Sequence, residues 1–77
     1  MNNPYEPIAC ELHDEYEIAI MHGKYLNIRW VDSTGACHTD KVLPKDILAK
    51  DKEEFLVVDT QDAKALRIRL DMITILE

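Results

Sequence analysis

Gly23 divides the chain into two stretches whose apolar residues repeat with different periods, and that switch limits the possible folds more than any other feature. Between Glu11 and His22, Leu12, Tyr16, Ala19 and Ile20 recur at i, i+4, i+7 and i+8, the spacing of one helical face. Past Gly23, Leu26, Ile28 and Trp30 alternate with Tyr25, Asn27 and Arg29, as on a half-buried strand. Asp14 with Glu17 three residues on fits an N-cap with a returning carboxylate, and Gly23 fits a helix stop. Tyr16, Ile18 and Ile20 also alternate, so a strand starting in the second half is the competing reading; the helix over 11–22 is preferred. Pro4 and Pro7 favour an extended lead-in over residues 1–9.

Residues 24–76 read as strands. Asp32-Ser33-Thr34-Gly35 is a turn signal, and Ala36 to Val42 is the returning strand of a hairpin. Leu43 to Lys52, with Pro44 and alternating charge, reads as a loop with at most one helical turn at Asp46 to Ala49. Phe55 to Thr60, a turn at Gln61 to Lys64, and Ala65 to Leu70 follow, with Leu66, Ile68 and Leu70 inward. Asp71-Met72 fits a tight kink before Ile73 to Leu76. The expected class is mainly β with one N-terminal helix: a small, strongly bent antiparallel barrel or sandwich in a single domain. Closing the sheet would protect the edges of such short strands. Trp30 and Phe55 are expected at inward strand positions.

Charge is unevenly distributed. The first twenty residues hold five acids (Glu6, Glu11, Asp14, Glu15, Glu17) and no Lys or Arg, and so carry −5 of the net −6. Capping explains one or two of these, since helix N-termini stabilise carboxylates. Five uncompensated ones repel each other and favour a basic partner. Two cysteines without a secretory leader fit reduced thiols in the cytoplasm, each expected to be a small buried hydrophobe. No apolar stretch approaches the roughly 20 residues needed to span a bilayer.

Reactive constellations are weak. Cys10 with His13 and Cys37 with His38 offer four zinc ligands, but adjacent residues on a strand point to opposite faces, so no metal site is expected. Cys10 beside His13 lies among carboxylates, which oppose a thiolate. The acids have no apolar pocket to separate their pKa values, and two glycines make no phosphate loop. An enzyme is not expected, nor a cofactor. Arg29, Arg67 and Arg69 could form a basic stripe for RNA on a small barrel. The alternative is a solvated strand face whose charges pair with Asp40 or Asp59. A pI near 4.9 and few aromatic residues outside the core argue against direct nucleic-acid binding.

Tyr5-Glu6-Pro7-Ile8-Ala9-Cys10, then Asp14 and Glu17, resemble the opening of the Rho-binding antiterminator (Rof) family. Downstream, Glu54-Phe55-Leu56-Val57-Val58 and Leu66-Arg67-Ile68-Arg69-Leu70-Asp71-Met72-Ile73 resemble its later strands, so the likeness runs from about Tyr5 to Leu76. The resemblance implies an Sm-like small barrel with an amino-terminal helix. It further implies a protein inhibitor of the transcription termination factor Rho that occupies Rho's RNA-binding amino-terminal domain and keeps RNA off it. Asp14 and Glu17 are the matching acids and Glu11 and Glu15 support them; Lys45 and Asp46 are expected to border the interface, though not on the strength of the resemblance. Tyr5, Pro7, Ile8 and Cys10 match as packing and chain-entry residues. The implied partner is Rho, and the protein is expected to be a monomer. The hairpin at Asp32 to Gly35 is slightly longer than the family's usual turn, and Pro44 to Asp51 matches poorly.

Overall fold

The Ala9 carbonyl accepts hydrogen bonds from the amides of Leu12 and His13, at 3.1 and 3.0 Å, and so opens helix α1, Cys10–His22. The structure is a computed structural model that describes residues 6–76; Pro4 and Tyr5 of the expected lead-in lie outside the described residues. The helix begins without a side-chain cap, and Asp14 lies one turn inside it. The expected Asp14 cap is therefore corrected: acids are favoured throughout the first turns by the helix dipole, so an Asp-x-x-Glu spacing does not by itself mark the end. Gly23 ends the helix as expected, in the left-handed region at φ 62°, with its amide on the Ile20 carbonyl.

Five strands follow: β1 (Leu26–Val31), β2 (Cys37–Lys50), β3 (Glu53–Thr60), β4 (Ala65–Arg69) and β5 (Ile73–Ile75). They form one antiparallel sheet in the order β4-β3-β2-β1-β5. Strands β4 and β5 lie at opposite edges yet are joined only by a 3-10 turn, Leu70–Met72. In a flat sheet those edges would stand about 19 Å apart at ~4.8 Å per strand. A 3-10 connection of this length covers under ~10 Å at about 2 Å per residue. The sheet must therefore curl until its edges approach. This is the strongly bent Sm-like architecture expected, with the barrel left open between β4 and β5.

Strand β2 overturns the expected loop at 43–52. It pairs with β1 up to Val42, then with β3 from Val42 to Lys50. Pro44, which cannot donate to a ladder, is accommodated by a register shift between Pro44 and Asp46, leaving Lys45 as the extra residue of a bulge. Asp51 and Lys52, at φ 54° and 67°, make the two-residue turn into β3. Positive φ at both positions matches the right-handed twist of the hairpin. This turn lacks the usual glycine and so gives no hairpin signal along the chain.

The core comprises Tyr16 from α1 with Ile28, Val42, Leu56, Val58, Ile68, Leu70 and Ile73. Leu12 and Ile20 pack against it, as does Trp30, so the expected inward faces of α1 and β1 hold. The inward placement of Phe55 does not: it is half-buried, out of phase with Leu56 and Val58, which have no exposed surface. Register decides this, because Leu56 faces Ile68 and Val58 faces Leu66 across β4. Burial pushes the Tyr16 phenol up to about 12, with the Glu15 carboxylate adding to the effect, so Tyr16 stays neutral and serves packing. Both cysteines are free and exposed rather than buried. Cys10 starts the helix on its solvent side, and Cys37 follows the exposed hairpin tip.

Asp71 ties the chain entry to the β4–β5 corner. Its carboxylate accepts from Arg69 Nε at 2.7 Å, from Arg69 Nη2 at 2.9 Å and from the Glu6 amide at 3.0 Å. Burial alone would raise its pKa, but the Arg69 fork and the Glu6 amide outweigh it and hold the carboxyl below its ordinary 3.8. A depressed folded pKa means the stabilisation is full above the unfolded value and fades as pH falls through the folded one. Asp71→Asn is expected to lower stability at pH 7 by about 1–3 kcal/mol, through loss of charge-assisted hydrogen bonds. Urea melts at stepped pH check this: the variant should lose less stability than wild type on acidification below about pH 4, the ordinary carboxyl range.

Candidate functional site

Helix α1 carries Glu11, Asp14, Glu15 and Glu17 and no Lys or Arg, and all four acids are exposed. Glu11, Asp14 and Glu15 fall at i, i+3 and i+4, so they share one side, and Glu17 lies a turn beyond Asp14. Tyr16 and Ala19 are the buried residues of the helix, so the acids occupy the side turned away from the core. The amphipathic pattern thus performs two tasks: one side anchors the helix on the sheet and the other displays carboxylates.

His13 links this face to the sheet. Its Nδ1 lies 3.5 Å from Glu17 Oε2 and its Nε2 lies 3.6 Å from Glu54 Oε2 on β3. Among the described residues, His13, Asp14 and Glu17 form the group whose ligating atoms lie within 4.8 Å of one another. Cys10, Cys37 and His38 are not part of it. His38 stacks on Trp30 at 4.4 Å between ring centroids, and its Nε2 lies 2.7 Å from Asp32 Oδ2. Asp32 also accepts from the Thr34 hydroxyl at 2.6 Å, and from the amides of Thr34 and Ala36. The Thr34 hydroxyl, His38 and these amides hold its carboxyl far below the usual range, which marks Asp32 as an organiser of the hairpin tip. Trp30 Nε1 donates to Asp40 Oδ2 at 2.9 Å.

The bulge brings a fifth carboxylate to the acidic face. Asp46 and Glu17 line one shallow groove with Ile20, Met21 and Ile47, about 320 Å³ in volume. Asp46 Oδ1 accepts from the Ile47 amide at 2.8 Å, and both Lys45 and Asp46 are exposed. No local signal places Asp46 beside Glu17, since the two meet only through the packing of α1 on β2. Met21, by contrast, lies four residues beyond Glu17, a spacing that marks the shared helix side.

The basic residues are dispersed. Arg69 is mostly buried, with 13% of its side chain exposed, and its guanidinium is engaged by Asp71 and, at 3.8 Å, by Glu53. Arg67 is exposed on β4 and Arg29 on β1. Glu53, Arg67 and Arg69 line the same groove as Trp30, Phe55 and Asp32, so that surface carries both signs of charge. Arg69 pairs with Asp71 and Glu53 rather than with the Asp40 or Asp59 expected across the strands.

No helix is long and apolar enough to cross a membrane among the described residues. The chain resembles the protein named Protein rof of Escherichia coli (strain K12), with 32% identity over 76 residues that cover 96% of this chain and 82% of that protein. The Protein rof of Shigella flexneri matches to the same extent. The family described as "Modulator of Rho-dependent transcription termination (ROF)" matches residues 7–77. With the helix, the bent sheet and that match over nearly its whole length, this chain belongs to the ROF family of modulators of Rho-dependent transcription termination.

Proposed function

We propose that this protein inhibits Rho by laying its acidic helix against the basic RNA-binding amino-terminal domain of Rho, which blocks RNA loading and so favours antitermination. The observation that carries the reading is the exposed set Glu11, Asp14, Glu15 and Glu17 on a helix without a single Lys or Arg. Asp46 extends this face across the groove from Glu17, and Lys45 borders it. Carboxylates there stand where a nucleic acid would offer phosphates, and steering between opposite charges makes the encounter fast and salt-sensitive. The protein acts as a monomer without cofactor or metal, and it does not itself bind nucleic acid. Arg69, which an RNA-binding reading requires, is already engaged by Asp71 and Glu53.

The test is binding of the purified protein to Rho with and without an RNA oligomer in moderate salt. Saturable binding that RNA displaces is the expected result. Binding indifferent to RNA, or none, overturns the reading. RNA affinity of the protein alone, falling log-linearly with salt, would favour the small-barrel RNA binder using Arg29, Arg67 and Arg69.

A further inference from the structure

The solvent side of α1 is not uniformly acidic. Ile18 is 52% exposed and Met21 is 78% exposed, the latter the most exposed large apolar residue among those described. They are three residues apart and therefore neighbours on the helix surface. Ile18 follows Asp14 by four residues and Glu11 by seven, and Met21 follows Glu17 by four, so the carboxylates flank the apolar pair. Beyond Met21 the surface continues into the groove formed with Ile20, Ile47 and Asp46. Single exposed apolar residues are ordinary on a protein surface, but an adjacent pair flanked by carboxylates and continuous with an apolar groove has the layout of an interface centre with a charged rim.

We infer that Ile18 and Met21 form the water-excluding centre of the surface that engages Rho, and that they seat on the part of its RNA groove where bases stack. The inference rests on the reading of α1 as the Rho-binding face. The chemistry of the occupant follows from the pattern. A groove for single-stranded RNA combines Lys and Arg along the phosphate path with an aromatic or apolar floor for the bases. A face that displaced RNA through carboxylates alone would leave that floor wet. Ion pairs in open solvent contribute little, whereas pairs around a desolvated centre are strengthened as water is excluded. Methionine suits the task, because its unbranched thioether adapts to an aromatic surface. The helix therefore presents both halves of the RNA pattern, charge for phosphate and an apolar pair for base.

The test measures affinity for intact Rho, without RNA, across a salt series for wild type and three double variants whose fold is checked by thermal melting. I18S/M21S is expected to weaken binding by about 10- to 100-fold at every salt concentration, with the salt slope unchanged. I18L/M21L is expected to stay within about threefold of wild type, since apolar area is kept. D14K/E17K is expected to weaken binding and also flatten the salt slope. If I18S/M21S binds as wild type does while D14K/E17K is impaired, the face is purely electrostatic and this inference is overturned, though the proposed function stands. If wild type does not bind Rho at all, both fall together.

Discussion

Asp14→Lys and Glu17→Lys, made together, are expected to remove most of the affinity for Rho while leaving the fold intact. Each reversal replaces an attraction by a repulsion at a partly desolvated contact, worth about 1–3 kcal/mol per site. The two lie one turn apart and share a partner surface, so their combined effect need not be the sum. Even the smaller of the two values alone is more than a fivefold loss. The fold should survive because neither residue is buried and the helix starts at Ala9, with no side-chain cap to lose. Glu17 gives up its 3.5 Å contact with His13, but its side chain is 54% exposed, and a pair so solvated contributes little to stability. Binding to Rho by titration, with circular dichroism on the same samples, checks both halves. Affinity retained by a folded double variant would take the acidic face out of the interface. Melting of the helix would instead show that these acids serve the fold.

Leu56→Ala is expected to be the most damaging single change to stability, by about 2–5 kcal/mol. Leu56 is fully buried on β3, an inner strand flanked on both sides. It faces Ile47 of β2 and Ile68 of β4. Truncation removes transfer energy and leaves a cavity that three paired strands cannot close without breaking register. A chain of 77 residues has about 4–12 kcal/mol in total at the usual 0.05–0.15 kcal/mol per residue. The variant would therefore use up a large part of the whole, and urea melts at pH 7 should show a much lower midpoint. A midpoint near wild type would mean the sheet collapses around the gap more freely than its pairing suggests. Ile18 and Met21, apolar side chains on the outer side of α1, should by contrast tolerate serine without loss of fold, because more than half of each is already in water.

Much of the architecture was legible along the chain because its signals are local. Leu12, Tyr16, Ala19 and Ile20 mark the buried side of α1, and Gly23 marks its end, since both depend on geometry within a few residues. The Asp32 to Gly35 turn is set by the Asp32 carboxylate capturing Thr34 and Ala36. The kink at Asp71-Met72 falls within a three-residue 3-10 turn. The acids of the helix were legible too, because four carboxylates spaced around a helix whose other side is apolar can only face outward.

Other features needed contacts between distant parts. Pro44 reads as a break until β3 is laid alongside, when the bulge at Lys45 absorbs the missing donor and the strand runs on to Lys50. Phe55 and Leu56 sit in an apolar run without alternation, so only the pairing of Leu56 with Ile68 decides which of them is inward. The cysteines are apolar by type but exposed by position, one at the start of a helix and one beside a hairpin tip. Nothing near Arg69 in sequence except Asp71 announces its burial, and the contact with Glu53 comes from a neighbouring strand.

That a helix precedes a sheet, that the helix is acidic on its outer side and that the family is ROF can all be read along the chain, because periodicity, charge and motif order are properties of neighbouring residues. Asp46 joining Glu17 across a groove, Arg69 held in the β4–β5 corner, and α1 seated on the curled sheet with its carboxylates in water all come from packing between distant segments. Those are consequences of register and curl, and register is a relation between strands that no single stretch of chain contains.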